Sequence, residues 1–125
     1  MSKSKVARIL IVDDEPRIAD TLAVIFQRAG YDTSVVYRGE DALGLLATYQ
    51  PSIVITDVVM PGMDGIELAK AIRSSYPNCR VLLFSGNADT QQMLNAAREQ
   101  GYAFEVLAKP IPPLQMLAKI ASLLD

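Results

Sequence analysis

Three acidic residues, Asp13, Asp14 and Glu15, stand side by side directly after an apolar run that ends at Val12. Two carboxylates about 4 Å apart repel each other by about 4 kcal/mol at an effective dielectric constant near 20. A divalent cation bound among them would offset this repulsion, and oxygen ligands favour Mg²⁺, which usually takes one or two carboxylates together with phosphate oxygens. The sequence therefore predicts a Mg²⁺ site that is receptive to a phosphoryl group.

Polar residues also follow three later apolar runs. Asp57 closes the third run, Ser85 closes the fourth, and Lys109 comes just after the fifth. Asp57 is the natural nucleophile, because a carboxylate can accept a phosphoryl group to form an aspartyl phosphate. Lys109 would pair with the phosphate as a mobile point charge, the Ser85 hydroxyl would donate to a phosphate oxygen, and Gly86 would leave room for the phosphate.

These residues also have purely structural interpretations. Asp13 and Asp14 could cap the helix that follows them and interact with its dipole. Asp57 could be a turn residue, and Ser85 could satisfy backbone groups at a strand end. Their joint placement with Lys109 favours the functional interpretation.

Apolar runs alternate with helical patterns along the whole chain, which is typical of βαβ units. The predicted strands are Arg8–Val12, Thr33–Val36, Ser52–Thr56, Arg80–Phe84 and Phe104–Leu107. The predicted helices are Pro16–Ala29, Glu40–Tyr49, Gly65–Ser75, Thr90–Gln100 and Pro113–Leu124.

The polarity of the strands predicts their order. The first, third and fourth strands are continuously apolar, as strands covered on both faces are, whereas the second and fifth carry polar residues and are expected at the edges. The order 2-1-3-4-5 satisfies both conditions, which predicts a doubly wound parallel α/β sheet of the flavodoxin-like type in one domain, 1–125. In such a sheet, ligands bind beyond the carboxyl ends of the strands, where the polar residues above converge.

Two helices carry apolar stripes that predict their buried faces. The stripe of the first helix is Ile18, Leu22, Ile25 and Phe26, and that of the last is Leu114, Leu117, Ala121 and Leu124.

The composition excludes several classes of function. A net charge of -2 lacks the excess of basic residues that is typical of nucleic-acid-binding proteins. No apolar run approaches the ~20 residues needed to span a membrane. The chain has no histidine, which excludes a Ser-His-Asp triad and a phosphohistidine within the chain. Cys79 is the one cysteine, so an internal disulfide is excluded, as suits the cytoplasm.

The chain resembles a response-regulator receiver domain of two-component signalling, of the CheY-like kind, over essentially all of its length. The residues that carry the resemblance are Asp13-Asp14-Glu15-Pro16, Asp57, Met60-Pro61-Gly62-Met63-Asp64-Gly65, Ser85-Gly86 and Lys109-Pro110. Each motif alone is weak, but five in the right order and context are specific.

The resemblance implies that Asp57 takes the phosphoryl group from a phosphohistidine on a sensor histidine kinase or phosphotransfer protein. It implies a Mg²⁺ held by Asp13, Asp14, Asp57 and the backbone carbonyl of Val59. It also implies a cis peptide bond between Lys109 and the proline that follows it. The fourth helix, fifth strand and fifth helix would form the output face toward a downstream protein, and a homodimer is left open.

One departure from the family concerns the switch. Members of the family couple the serine or threonine, here Ser85, to an aromatic residue three positions before the lysine, where this chain has Val106. Phe104 lies two residues earlier, on the same side of a regular strand but farther from the pocket. The usual aromatic movement is therefore not expected.

Two other functions compete with the signalling interpretation. A scaffold that keeps the pocket but no longer switches is made more plausible by Val106. A phosphotransferase or phosphatase working through an aspartyl phosphate commonly has a second acid two residues after the nucleophile, where this chain has Val59. We therefore expect a signalling domain rather than an enzyme.

Overall fold

The computed structural model describes residues 6–86 and 90–124, which form five strands and five helices in alternation. The strands are β1 (Arg8–Val12), β2 (Asp32–Val36), β3 (Ile53–Asp57), β4 (Arg80–Ser85) and β5 (Glu105–Ala108). The helices are α1 (Pro16–Arg28), α2 (Gly39–Tyr49), α3 (Gly65–Ser75), α4 (Thr90–Glu99) and α5 (Pro113–Leu124).

The five strands form one parallel sheet in the order β2-β1-β3-β4-β5, as predicted. In the register of the three strands on one side, Ile11 lies between Val35 of β2 and Ile55 of β3. β1 and β3 are almost completely buried, β4 is buried at Leu82, Leu83 and Phe84, and the edge strands β2 and β5 are only partly covered. The polarity of the strands therefore predicted the edges correctly.

The helices cover both faces of the sheet, because alternate side chains of each strand point to opposite faces. On one face, Ile9, Ile55 and their neighbours pack against α1 and α5. On the other face, Leu10 and Val54 pack against α2 and α3, and α4 adds a smaller cluster around Leu83. Burial of each large apolar side chain contributes about 1.5–3 kcal/mol, so both layers hold the sheet in place.

The buried faces of two helices differ from the predicted stripes. In α1 the buried residues include Ala19 and Ala23 as well as Phe26, because small side chains let the helix lie close to the sheet. In α5 the buried residues are Met116 and Ile120. Of the predicted stripe, Leu117 and Leu124 pack against the edge of the core, whereas Leu114 and Ala121 are exposed, so the prediction was wrong at these two residues. Leu114 of that stripe is 81% exposed.

Several boundaries differ from the prediction by one residue. β3 extends to Asp57 because this residue pairs with Phe84 of β4. β5 begins at Glu105, which lies opposite Leu82. The residue before it, Phe104, was predicted to begin the strand, but its ring stacks on another aromatic ring.

The remaining shifts are at the starts of β2, β3 and α2, which are Asp32, Ile53 and Gly39, and at the ends of α1, β4, α4 and β5, which are Arg28, Ser85, Glu99 and Ala108. Within residues 6–86 and 90–124, no helix is both long and apolar enough to cross a membrane.

Candidate functional site

Three carboxylates converge where β1 and β3 end. These neighbouring strands bring Asp13, Asp14 and Asp57 together, with one oxygen of each lying within 4.8 Å of the others. Asp13 is only 1% exposed. The sequence prediction that acids from two strand ends lie together is therefore correct.

Lys109 lies between two of these acids. Its Nζ is 3.3 Å from Asp13 Oδ2 and 3.4 Å from Asp57 Oδ2. At an effective dielectric constant near 20, each attraction is about 5 kcal/mol before desolvation is counted. The ammonium group thus offsets part of the repulsion between the carboxylates.

Two features of the backbone adjoin Lys109. The peptide bond between Lys109 and Pro110 is cis, as the resemblance implied. A Cβ built on Gly86 would lie 3.3 Å from Cδ of Lys109, so the glycine gives space to the aliphatic part of the lysine. In the structure Gly86 leaves room for Lys109, and the room that it was predicted to leave for phosphate stays a prediction.

Asp57 is held from both sides of its carboxylate. Its Oδ1 accepts a hydrogen bond of 2.9 Å from the Val58 N–H, and its Oδ2 faces Lys109. Burial raises the pKa of Asp57 above its ordinary value, the charge of Lys109 lowers it, and the charge of Asp13 raises it, with a net increase. Asp57 is thus a poorly solvated carboxylate, a state that cations would stabilise.

Asp13 has a structural role as well as its place in the cluster. Its Oδ1 accepts a hydrogen bond of 2.9 Å from the Glu15 N–H, and its Oδ2 accepts one from Lys109. The contact with Glu15 fixes the turn that leads into α1. Asp13 does not cap the helix as the structural interpretation expected, because the N-cap of α1 is Glu15 and has no side-chain cap hydrogen bond.

A cleft of about 680 Å³ opens at the carboxylates. Its polar lining includes Asp14, Asp57, Thr90 and Lys109, and its apolar lining includes Ile18, Leu22, Pro110, Ile111 and Met116. Val59 also lines the cleft and is 49% exposed. The nucleophile candidate is accordingly accessible from one side.

The start of α3 fixes the backbone that follows Asp57. The Gly65 N–H donates to the Val58 carbonyl at 2.8 Å. A Cβ on Gly65 would lie 2.0 Å from the carbonyl oxygen of Asp57, so this close approach requires glycine. Asp64 and Glu67 form a capping box that begins the helix here.

The first turn of α2 supports the same loop from the other side. Glu40 Oε2 accepts a hydrogen bond of 3.2 Å from the Met63 N–H. A hydrogen bond from its own backbone N–H, the bond from Met63 and the charge of the nearby Arg38 lower the pKa of Glu40. A Cβ on Gly39 would lie 3.1 Å from Met63, so α2 packs closely on the loop. Sequence reasoning missed Glu40, because an acid in the first turn of a helix is common.

Ser85 lies at the end of β4, where its hydroxyl group is hydrogen-bonded to that of Thr90. Thr90 is the first residue of α4, is 2% exposed and lines the cleft. Sequence reasoning assigned Thr90 no role beyond the start of a helix, and only its threonine hydroxyl could have suggested one.

Val106 occupies the position where the family has an aromatic residue. It lies opposite Leu83 and packs in the cluster that also contains Val58 and Ala97. Phe104 belongs to the same cluster, as its place on the same side predicted.

The ring of Phe104 is fixed at a distance from the cleft. It stacks on Tyr102 with 5.8 Å between ring centroids, and the guanidinium carbon of Arg73 lies 4.7 Å from its centroid. Arg73 also donates a hydrogen bond of 3.0 Å to the Ala103 carbonyl. The contacts of Arg73 with Phe104 and Ala103 therefore link α3 to the start of β5.

The donor set of the cluster suits a hard cation. Asp13, Asp14 and Asp57 offer carboxylate oxygens only, and oxygen ligands are those that Mg²⁺ prefers. The residues present therefore fit the ion that the sequence predicted.

Comparison with known proteins places this geometry in a family. The family model of the response regulator receiver domain matches residues 9–121. The DNA-binding response regulator MtrA of Mycolicibacterium smegmatis is 30% identical over 113 residues, which are 90% of this chain and 48% of that protein. The chain thus spans about half the length of this curated relative.

Solved structures agree in fold. The CheY-like response regulator receiver domain protein of Methanospirillum hungatei is 26% identical, with a TM-score of 0.87 over 97% of this chain and 95% of that one. The chemotaxis response regulator CheY4 of Vibrio cholerae is 28% identical, with a TM-score of 0.81 over 95% of this chain and 99% of that one. The chain belongs to the response regulator receiver domain family.

Proposed function

We propose that this receiver domain accepts a phosphoryl group on Asp57 from the phosphohistidine of a sensor histidine kinase or phosphotransfer protein. The observation that supports this proposal is the accessible Asp57 carboxylate, which has two further acids within 4.8 Å and Lys109 Nζ at 3.4 Å. Such a site combines a nucleophile with positive charge for the incoming phosphoryl oxygens.

The transfer is a displacement at phosphorus. Asp57 Oδ1 already accepts the Val58 N–H, so Oδ2 is the attacking atom. A bond forms between Oδ2 and phosphorus, the bond from phosphorus to the donor's imidazole nitrogen breaks, and its electron pair remains on that nitrogen. Lys109, which contacts Oδ2, then pairs with the transferred phosphoryl oxygens.

The acids around Asp57 serve to hold Mg²⁺ in this proposal. Asp13, Asp14, Asp57 and the backbone carbonyl of Val59 would hold the ion. When bound, Mg²⁺ supplies positive charge that neutralises the cluster and the phosphoryl oxygens. The Asp13–Glu15 and Gly65–Val58 hydrogen bonds keep the two ends of this ligand set in place.

The domain acts in the cytoplasm as a signalling partner and not as an enzyme. It relays the signal through the face formed by α4, β5 and α5, to a downstream protein or a second copy. Val59, where enzymes that form aspartyl phosphates commonly have a second acid, supports the non-enzymatic part of this proposal.

A scaffold that binds phosphate without switching is the second candidate, and Val106 favours it. Amide hydrogen exchange with and without beryllofluoride and Mg²⁺ separates the two functions. A switching domain changes its exchange in α4 and β5, whereas a scaffold changes only around the cleft.

Intact-mass analysis tests the phosphoacceptor function. The purified domain is treated with acetyl phosphate and Mg²⁺, and wild type is expected to gain one phosphoryl group that chelation of Mg²⁺ prevents. Asp57→Asn should gain none, and Asp41→Asn, the same change on the exposed first turn of α2, should behave as wild type. Equal uptake by Asp57→Asn, or steady turnover of a small phosphoester, would overturn the proposal.

A further inference from the structure

A second groove lies between α4 and β5 and shares no lining residue with the cleft at the carboxylates. Its volume is about 200 Å³, which is below the about 300–1,000 Å³ typical of pockets for small-molecule ligands. The size therefore suits a single side chain of a partner rather than a cofactor. The lining residues are Gln91, Leu94 and Arg98 of α4, and Tyr102, Phe104 and Val106 of β5 and the segment before it.

Much of this lining is apolar or aromatic. Leu94 and Val106 are half-buried and pack at the edge of the cluster around Leu83. Tyr102 and Phe104 stack with 5.8 Å between ring centroids, so the groove already contains two ordered rings. A further ring beside them would gain the offset and edge contacts that aromatic pairs make at centroid distances of about 4.5–7 Å. The lining thus favours an aromatic side chain as the occupant.

Three cations surround the two rings. Lys70 Nζ lies 5.3 Å from the centroid of Tyr102, and the guanidinium carbon of Arg73 lies 4.7 Å from that of Phe104. Arg98 lines the groove itself and is exposed. All of these charges adjoin residues of the groove, so they act on whatever side chain enters it.

None of the three cations is in an ion pair within residues 6–86 and 90–124. Lys70 donates to the side-chain oxygen of Gln100, and Arg73 donates to a backbone carbonyl. The acid of β5, Glu105, is paired with Lys119 at 3.1 Å. The surface around the groove is therefore locally positive, although the net charge of the chain is -2, and it complements an acidic partner.

We infer that this groove docks an acidic segment of the downstream protein, with one aromatic side chain of that segment inserted beside Val106 and its carboxylates near Arg98. The inference rests on the proposed function, because it names the chemistry of the partner that the output face binds. Nucleic acid bases also stack on aromatic side chains, but the groove has room for one side chain and the chain lacks an overall basic charge. The structure therefore favours a protein partner.

NMR titration of the ¹⁵N-labelled full chain with a short capped peptide tests the inference. The peptide has four glutamates around one central phenylalanine. We expect saturable amide shifts centred on Leu94, Arg98 and Val106, with a dissociation constant on the order of 1 mM. A peptide with alanine in place of the phenylalanine should bind at least about 10-fold more weakly. A peptide with lysines in place of the glutamates should show a loss of the same order, because like charges then meet.

Variants of the chain locate the binding and its charge. Val106→Tyr adds a ring that fills the groove and should weaken binding at least about 10-fold, and Leu94→Phe repeats this test from α4. Arg98→Ala should weaken binding about two- to fivefold, the usual effect of an exposed ion pair. Arg28→Ala is the matched control, because it removes the same charge from the exposed last turn of α1, and it should bind as wild type.

Several results would overturn the inference. These are no saturable shift at about 10 mM peptide, equal binding of the alanine peptide, or equal losses in Arg98→Ala and Arg28→Ala. Tighter binding of a single-stranded oligonucleotide than of the peptide would indicate a nucleic acid partner instead. Self-association of wild type that Val106→Tyr abolishes, measured by analytical ultracentrifugation, would indicate that a second copy occupies the groove.

The titration uses the unphosphorylated chain, so its outcome does not depend on phosphate uptake. Absence of phosphate uptake in the intact-mass experiment would refute the proposed function whether or not the peptide binds. Absence of peptide binding in a chain that takes up phosphate would refute only the inference. The two failures are therefore distinguishable.

Discussion

Gly65→Ala is the substitution that most directly tests how the fold positions Asp57. The added Cβ would lie 2.0 Å from the Asp57 carbonyl oxygen, and the 3.0 Å floor of real Cβ contacts requires a retreat of about 1 Å. Such overpacking costs about 1–3 kcal/mol of unfolding free energy. A misplacement of about 1 Å at a reacting group can reduce the rate about 100-fold. We therefore expect Gly65→Ala to lose about 1–3 kcal/mol of unfolding free energy and to be phosphorylated about 100-fold more slowly than wild type.

Gly44→Ala is the matched control, because it makes the same change inside α2, where nothing lies within 4 Å of the added Cβ. Alanine is the better helix former by about 0.5–1 kcal/mol, so this variant should be slightly more stable than wild type and phosphorylated at the same rate. Urea unfolding followed by circular dichroism gives the stabilities. Intact mass against time with acetyl phosphate and Mg²⁺ gives the rates.

Two results would refute this reasoning. Equal stability of Gly65→Ala and wild type would mean that the loop accommodates the methyl group without strain. A destabilised Gly65→Ala that is still phosphorylated at the wild-type rate would mean that α3 supports the fold but does not position Asp57.

Three further predictions concern the loop, the charge and the switch. Glu40→Ala removes the acceptor of the Met63 N–H and should weaken Mg²⁺ binding about two- to threefold in calorimetry, whereas Asp41→Ala in the same turn should not; equal affinities would contradict this. Burial raises the pKa of Asp57, so this carboxyl group holds its proton to higher pH in the folded protein than in the unfolded chain. The free energy of unfolding of wild type therefore falls as the pH rises from the ordinary pKa of 3.8 through the raised pKa. In urea unfolding without metal, Asp57→Asn should therefore be more stable than wild type at pH 7 but not below pH 3.8. A difference in stability that does not change with pH would contradict this prediction. Val106→Tyr should leave phosphate uptake by intact mass largely intact, and its loss would show that the switch position also serves the chemistry.

The sequence predicted the sheet well because the required signals are local to each strand. Strands covered on both faces must be apolar throughout, and polar residues in β2 and β5 mark the edges. Once the order is known, the carboxyl ends of parallel strands bring Asp13, Asp57 and Lys109 to one edge. The convergence of the site residues therefore followed from the topology.

The helix faces were harder to predict because the pattern of α5 allows more than one stripe. Leu114 and Leu117 begin one helical series, and Met116 and Ile120 begin another of the same spacing. Only the sheet and α1 decide between them: they bury Met116 and Ile120 fully and leave Leu117 partly buried at the edge of the core. The exposed Leu114 is the consequence.

Glu40 and Thr90 were missed for a different reason. An acid in a first helical turn and a threonine at the start of a helix are both common, so neither residue is unusual in the sequence. Their importance depends on neighbours that are distant in the chain or across a loop, namely Met63 and Ser85. Such contacts become visible only when the tertiary structure is known.

Identification of the phosphorylated residue tests the central claim most directly. Borohydride reduces an acyl phosphate to an alcohol, so treatment of the phosphorylated domain followed by peptide mass spectrometry marks the acid that carried the phosphoryl group. We predict that the mark lies on Asp57 and depends on Mg²⁺ during phosphorylation. A mark on Asp13 or Asp14, or on an acid outside the cleft, would contradict the account.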